Sequence, residues 1–459
     1  MTNTKLHKNF PVFDCDAHIN DPLEIWDKYV EPEYRELVKQ SYWNNPGHAI
    51  LNGRDIVAGG HEIPADIISI NGITIGGPGV DKRVQRRIMR TPLTREQREY
   101  LDHRGAYDPN ARLKELDLMG IDQVLVIPTM LVHHFPFIEN ADGAAAFARA
   151  YNNWVYDWCA TEPVRLFPAA LIPIQNPEYA VQEVRRVAKR GFRVGLVRPI
   201  DANGHYPNRV FPPSERMSGA TGPALHRLFK TIEEEGMVLG MHTFPAPIGI
   251  DRSHQWSPGE LVEGTGLGTG HLVVSSTFSF IFEAMAWVSQ ILLSGFLDMY
   301  PRLKMAIFES NASWLPELLD HCDVMFKLYK NERKYPARRI PSEAFDQQCM
   351  ISFESDEVAV YREWERFEKI GIWASDVYHH DSSDAWAALR FMQEAEVPAS
   401  ASAMLLGENA RRFYGIEGRT FVTDERDIER PAWFPKKDDE FRKWWEKESD
   451  PRASLGTVK

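Results

Sequence analysis

The chain has 459 residues, of which 43% are hydrophobic and 26% are charged, and these fractions are ordinary for a globular protein. Its formal net charge of −12 argues against non-specific binding to nucleic acid, because the phosphate backbone attracts basic proteins. Four widely spaced cysteines without a CxxC pair argue against a disulfide framework or a cysteine-rich zinc site, and they predict a reduced, cytoplasmic environment.

The ends and the most apolar parts of the chain predict no membrane partner. Residues 1–16 contain no apolar stretch before the first strand-like run, so no signal peptide is expected. The apolar segment 281–297 includes Glu283, Ser289 and Gln290. Because these side chains are polar, the segment predicts a buried helix and not a membrane span.

Eight short apolar runs are predicted to be strands. The runs are continuous instead of alternating, which is typical of parallel strands that are buried on both faces. In chain order they are VFDCDAH, QVLVIPT, LFPAALIPI, VGLVRPI, MVLGMHTF, KMAIFES, CMISFES and GIWASD. Two intervening segments, residues 177–191 and 222–236, are amphipathic and end in glycine, as helices commonly do.

The alternation of strands and helices predicts βαβ units and a parallel sheet. With eight strands, the expected α/β fold is a (β/α)8 TIM barrel with lid insertions and a C-terminal extension. The alternative is an open, doubly wound sheet, and the lack of a GxGxxG motif after the first strand weighs against it. We expect the barrel over residues 1–418 and a charged extension, a clasp over the barrel or over a partner subunit, over residues 419–459.

Three segments are longer than a minimal barrel needs. They are predicted as insertions at about residues 22–110, 201–222 and 245–272, and the first contains a hairpin pattern turned at Asn71-Gly72. Each insertion follows a predicted strand. Because active sites of parallel barrels lie at the C-terminal ends of the strands, the insertions are expected to roof the active-site mouth.

Potential metal ligands lie at the ends of predicted strands: Asp16 and His18, then His242, Glu309 and Asp376. The first two are two positions apart on a strand, so they share one face. Each residue alone has a structural alternative, such as a loop hydrogen bond or a helix N-cap. Burying all of them without a counterion would cost several kcal/mol each, and a divalent cation would remove that cost.

Two further positions are candidates for substrate binding and proton transfer. Arg198, which ends VGLVR, could bind a substrate carboxylate or a thioester carbonyl through two hydrogen bonds, or it could form a structural ion pair. His379 and His380 follow Asp376 closely. One of them could relay a proton near an ordinary pKa of about 6.5, or both could bond to loop carbonyls.

Several longer stretches together carry a family resemblance: FDCDAHINDP, RLKELDLMGIDQVLVIPT, VGLVRP, SGFLDMYPRLKMAIFESNASWLP, WASDVYHHD and LLGENARRFYG. Across residues 13–414 the chain resembles the amidohydrolase superfamily, in the branch related to aminocarboxymuconate-semialdehyde decarboxylase and resorcylate decarboxylase. The resemblance implies that Asp16 and His18 match the metal pair of strand 1 and that His242 matches the ligand of strand 5. It also implies that Asp376 matches a late-strand aspartate that binds metal or acts as a base.

The chain departs from the family pattern at two positions. Asp16 stands where the family usually has the first histidine of an HxH motif, and Glu309 stands where the decarboxylase relatives carry a histidine. Both changes replace an imidazole by a carboxylate, so the site becomes more anionic. We therefore expect one or two divalent ions, with manganese or iron favoured and zinc still possible.

The leading hypothesis is a metal-dependent hydrolase or carbon–carbon lyase that acts on a small or medium organic acid, amide or (thio)ester, by hydrolysis with metal-activated water or by non-oxidative decarboxylation. Asp376 would take a proton from water or protonate a carbanion. The alternative is a dinuclear non-heme iron monooxygenase on the same barrel, because two histidines with several carboxylates are also an iron-type ligand set. In either case the expected partners are a small-molecule substrate and, by resemblance, further copies of the chain in a homo-oligomer.

Overall fold

The structure is a computed structural model, which describes residues 5–19, 25–37, 43–45, 48–51, 54–56, 105, 108–129, 131, 135, 138, 140–198, 221–243, 280–331, 337–377 and 382–426. Eight parallel strands form one sheet in which spatial order equals chain order. They are β1 (Phe13–Ile19), β2 (Gln123–Pro128), β3 (Leu166–Leu171), β4 (Val194–Leu196), β5 (Val238–His242), β6 (Lys304–Phe308), β7 (Cys349–Phe353) and β8 (Gly371–Trp373).

The sheet closes into a barrel where the segment after β8 meets β1. The backbone N–H of Asp376 donates to the carbonyl oxygen of Asp16 at 3.1 Å, and that of His18 donates to Val377 at 2.6 Å. Ala17 and Val377 form a parallel bridge between the same two segments. The predicted (β/α)8 barrel is therefore confirmed, and the doubly wound alternative is wrong, because that fold reverses its strand order.

Helices cover the outside of the barrel, and this explains why the strands carry apolar residues on both faces. In β1, β2 and β5 every residue is buried. The helices are α1 (Pro109–Met119), α2 (Ala141–Cys159), α3 (Pro177–Lys189), α4 (Thr221–Glu234), α5 (Phe280–Ser294), α6 (Phe296–Met299), α7 (Leu315–Leu328), α8 (Pro341–Gln348), α9 (Val358–Arg362), α10 (Trp364–Phe367), α11 (Ala385–Glu394), α12 (Ala399–Ala403) and α13 (Asn409–Tyr414).

Local sequence sets the ends of the predicted helices. The side chain of Asn176 accepts hydrogen bonds from the backbone N–H groups of Glu178 and Tyr179 and so begins α3. Gly191, with φ of 93°, lies just past the end of the same helix. Trp287 of the apolar α5 is fully buried. Within the described part of the chain, no helix is long and apolar enough to cross a membrane.

The predicted insertions fall mostly outside the described residues, including the hairpin at Asn71-Gly72 and residues 245–272. Three short antiparallel strands, Trp43–Asn45, His48–Leu51 and Arg54–Ile56, form a separate small sheet. The described start of the C-terminal extension runs beside the N-terminal segment, where the N–H of Lys8 donates to Thr423 and that of Glu425 donates to Leu6. The domain division at residue 418 itself stays a prediction.

Candidate metal centre

The five predicted metal ligands lie together at the C-terminal end of the barrel. Asp16 and His18 belong to β1, and His242 is the last residue of β5. Glu309 directly follows β6, and Asp376 lies three residues after β8. The imidazole rings of the two histidines meet edge to face, with centroids 5.2 Å apart and an angle of 88° between the rings.

Three of the five residues form a compact group in which every ligand atom lies near the other two. Nε2 of His18 lies 3.2 Å from Oδ1 of Asp16 and 3.3 Å from Nε2 of His242. All three residues offer ligand atoms that lie within 4.8 Å of one another. Glu309 flanks His242, with 3.3 Å between Oε2 and Nε2, and Asp376 flanks His18, with 3.4 Å between Oδ1 and Nε2.

The backbone determines which nitrogen of each histidine faces the group. Nδ1 of His18 lies 3.2 Å from the carbonyl oxygen of Pro128, and Nδ1 of His242 lies 2.7 Å from that of Thr243. A carbonyl oxygen only accepts hydrogen bonds, so in the neutral imidazole the proton is on Nδ1 and the lone pair is on Nε2. The two lone pairs therefore face each other and the carboxylate of Asp16, an arrangement that a cation between them would stabilise.

Burial makes this arrangement of charges expensive without a cation. Asp16, His18 and His242 are each at most 2% exposed. The desolvation of an unneutralised carboxylate costs several kcal/mol. The side chain of Glu309 is 16% exposed, so this carboxylate lies on the more open side of the group. The donor set of carboxylate oxygens and imidazole nitrogens fits a divalent ion of the manganese, iron or zinc type.

Two of the five residues adopt backbone conformations that are unfavourable for residues other than glycine. Glu309 has φ of 47° and Asp376 has φ of 52°, both in the left-handed region. Such conformations cost about 1–3 kcal/mol each and are concentrated at functional sites. At Glu309 the conformation is supported from both sides: its N–H donates to Oγ of Ser352 at 3.2 Å, and the hydroxyl of Thr243 donates to its carbonyl.

Asp14 is a buried carboxylate of this region that was not among the residues predicted from the sequence. Its oxygens accept hydrogen bonds from the backbone N–H and the hydroxyl of Ser375, which precedes Asp376. Burial raises the pKa of Asp14 to about 7, although the hydrogen bonds from Ser375 oppose the rise. The available signal was an acidic residue inside a run that otherwise predicts a fully buried strand.

Arg198 forms a buried ion pair, as one of its two sequence interpretations expected. Its Nε lies 2.9 Å from Oε1 of Glu283, and both side chains are at most 2% exposed. Arg198 also lines a small pocket together with His242 and apolar residues from β3 and β4, among them Leu171 and Leu196. The guanidinium group of Arg198 therefore lies beside the proposed metal ligand His242. Binding of a substrate by Arg198 stays a prediction. The two histidines that were predicted as proton-relay candidates, His379 and His380, lie outside the described residues.

Comparison with known proteins finds a family match over most of the chain. The model of the family described as amidohydrolase matches residues 13–416. Among curated proteins, the gamma-resorcylate decarboxylase of Rhizobium radiobacter is 23% identical over 340 residues, which are 70% of this chain and 90% of that protein. A second gamma-resorcylate decarboxylase, from a Rhizobium species, is 23% identical over 55% of this chain and 70% of its own.

Solved structures share the same barrel. An amidohydrolase from Mycobacterium avium subsp. paratuberculosis superposes with a TM-score of 0.61 at 16% identity, over 89% of this chain and 100% of its own. A 5-carboxyvanillate decarboxylase from Novosphingobium aromaticivorans, crystallised with manganese and 4-hydroxy-3-methoxy-5-nitrobenzoic acid, gives a TM-score of 0.57 at 16% identity, over 89% and 96% of the two chains. At these identities the likeness shows the fold.

Proposed function

We propose, from the premise that this chain belongs to the amidohydrolase family, that it is a metal-dependent decarboxylase of a hydroxylated aromatic acid. The observation that carries the proposal is the compact group of Asp16, His18 and His242 at the C-terminal end of the barrel. The relatives named above support the reaction class, since they are decarboxylases of resorcylate and carboxyvanillate. None of those relatives is named as an oxygenase, so we do not put forward the dinuclear iron alternative.

The residues that would hold the metal are Asp16, His18 and His242, with Asp376 and Glu309 beside them. We infer that the ion is manganese, because three carboxylates favour a hard divalent ion and a structural neighbour contains manganese. When bound, such an ion would attract the oxygens of the substrate by its positive charge and polarise their bonds to carbon.

Asp376 is the residue that we assign to proton transfer. Its Oδ1 lies 3.4 Å from Nε2 of His18 and its side chain is 5% exposed, so bulk water reaches it poorly. In its protonated form it would donate a proton to the ring carbon that bears the carboxylate. The new C–H bond forms, the bond to the carboxylate carbon breaks, carbon dioxide leaves with restoration of the aromatic ring, and Asp376 regains a proton from solvent.

Arg198 is assigned to the substrate carboxylate. It lines the pocket beside His242, and Glu283 holds its side chain by the 2.9 Å ion pair. A guanidinium group recognises a carboxylate through parallel N–H donors. Because Glu283 orients the group before the substrate arrives, less side-chain entropy is lost on binding. His379 stays a candidate for the proton relay between Asp376 and solvent.

A direct assay tests the proposal. Metal-free protein supplied with Mn2+ under argon is incubated with ortho-hydroxylated benzoic acids, and chromatography follows the phenol that forms. We expect one phenol and one carbon dioxide per acid consumed. Hydrolysis of an amide or ester panel without any decarboxylation would place the chain in the hydrolytic part of its family. Strict dependence on iron and O2 would overturn the proposal in favour of an oxygenase.

Location and assembly are also proposed. We infer a cytoplasmic location because all four cysteines are buried free thiols, as expected in a reducing compartment. We infer a homo-oligomer from the family resemblance. Light scattering coupled to size-exclusion chromatography measures the mass of the assembly, and a mass equal to that of one chain would contradict this inference.

A further inference from the structure

Asp14 lies two residues before the ligand Asp16 and is fully buried. Its Oδ1 accepts hydrogen bonds from the backbone N–H of Ser375 at 3.0 Å and from that of Asp16 at 3.1 Å. Its Oδ2 accepts a hydrogen bond from the hydroxyl of Ser375 at 2.5 Å. The oxygen of that hydroxyl in turn accepts a hydrogen bond from the backbone N–H of Val377 at 3.1 Å.

These four hydrogen bonds join the segments that carry two ligands from opposite ends of the chain. Asp14 binds the N–H of Asp16 directly. Through Ser375 it holds the residues on both sides of Asp376, because Ser375 precedes this aspartate and Val377 follows it. The carboxylate of Asp14 therefore holds the backbone on which the side chains of Asp16 and Asp376 are mounted.

Barrel closure alone does not require this carboxylate. The backbone hydrogen bonds from Asp376 to Asp16 and from His18 to Val377 already join the two segments. A buried carboxylate is costly in comparison with an apolar residue, even when it is hydrogen-bonded. What Asp14 adds is support for Asp376, whose φ of 52° is unfavourable for an aspartate.

We propose that Asp14, acting through Ser375, is a positioning residue that fixes Asp16 and Asp376 for metal binding. The inference rests on the proposed metal site. Hydrogen-bonded residues behind metal ligands commonly change metal affinity about 10–100-fold when they are replaced. The same range is expected here for Asp14→Asn, since one amide oxygen cannot accept the bonds that two carboxylate oxygens accept.

The test measures Mn2+ affinity and stability separately. Metal-free protein is titrated with Mn2+ against a fluorescent chelator, and thermal unfolding of the same metal-free samples is followed by circular dichroism. The variants are Asp14→Asn and the milder Ser375→Ala, which removes only the hydroxyl. The matched control is Asp122→Asn, because Asp122 is also fully buried and accepts backbone hydrogen bonds from Val12 and Val422, but lies at the N-terminal end of β2.

We expect Mn2+ affinity to fall about 10–100-fold in Asp14→Asn and about tenfold in Ser375→Ala. Asp122→Asn should bind Mn2+ with wild-type affinity, even if it is less stable than the wild-type protein. The double variant should lose less affinity than the product of the two single losses, since Asp14 and Ser375 share the hydrogen bond between them. If Asp14→Asn does not fold, the Mn2+ affinity of Ser375→Ala alone tests the proposal. Affinities within twofold of wild type in both variants would overturn the positioning role. Wild-type protein that binds no divalent ion would instead overturn the metal site, and the positioning role with it.

Discussion

Asp376 donates its backbone N–H to the carbonyl oxygen of Asp16 at 3.1 Å, so one hydrogen bond both closes the barrel and joins two of the proposed metal ligands. These residues are 360 positions apart in the chain. The geometry of the site therefore depends on completion of the whole barrel. Conversely, an ion bound between the first and last strands would stabilise the closed barrel, because it binds the folded state only.

The first prediction concerns removal of the metal. Chelation should lower the free energy of unfolding, and Mn2+ at about 100 times its dissociation constant should restore about 2.7 kcal/mol. Differential scanning calorimetry of metal-free and Mn2+-loaded protein measures the change. Equal transition temperatures in the two samples would contradict a metal that bridges the strand ends.

The second prediction concerns the ligands of β1. Asp16→Ala and His18→Ala should each lose bound metal and keep a folded barrel, because each removes one donor from the group but no hydrophobic core residue. Metal analysis measures the content, and circular dichroism measures the fold. His321→Ala, at an exposed position on α7, is the control that should keep its metal. Full metal content in both ligand variants would refute the assignment.

Sequence patterns were sufficient for the barrel and for the neighbourhood of the ligands. The strand ends are local features, since Asp16, His242 and Glu309 each end or follow an apolar run. The parallel barrel then brings all such ends to one face. The convergence of the ligands thus follows from the fold, without knowledge of any individual contact.

Contacts between distant residues could not be predicted in the same way. Ser375 reaches Asp14 across 361 positions, and Glu283 reaches Arg198 across 85 positions. The local pattern predicts neither partner. The contact of Asp14 with Ser375 depends on the register of segments that meet only in the folded barrel. The contact of Arg198 with Glu283 depends on how helix α5 packs against the barrel. The acidic character of Asp14 was visible, but its partner was not.

The third prediction separates proton transfer from metal binding at Asp376. Asp376→Asn should retain much of its metal, because an amide oxygen can still ligate, but turnover should fall at least 100-fold, because the amide cannot donate or accept the proton. Metal content and kcat are measured on the same preparation. Near-normal kcat in this variant would show that another residue, such as His379, transfers the proton.

The fourth prediction concerns recognition of the substrate by Arg198. Arg198→Lys should lower kcat/KM about 10–100-fold, which corresponds to the loss of charged hydrogen bonds worth about 1.5–3 kcal/mol. Arg165→Lys is a matched control, since Arg165 is also buried and paired, with Asp117, outside the ligand group. It should affect stability but not KM. The same kinetics in both variants would mean that the pair of Arg198 and Glu283 is only structural.

The last prediction uses the residue at which this chain departs from its relatives. Oε2 of Glu309 lies 3.3 Å from Nε2 of His242, and the Glu309 side chain is the most exposed of the five proposed ligands. Glu309→His restores the residue type expected from the family resemblance. If the enzyme is a decarboxylase, the compact group of Asp16, His18 and His242 remains intact, so the variant should keep one ion and part of its activity under argon. If carboxylates instead hold two iron ions for oxygenation, the variant should lose one ion and nearly all turnover, and wild-type turnover should consume O2. Metal counting together with an oxygen electrode distinguishes the two results, and a stoichiometric uptake of O2 by the wild-type protein would refute the decarboxylase.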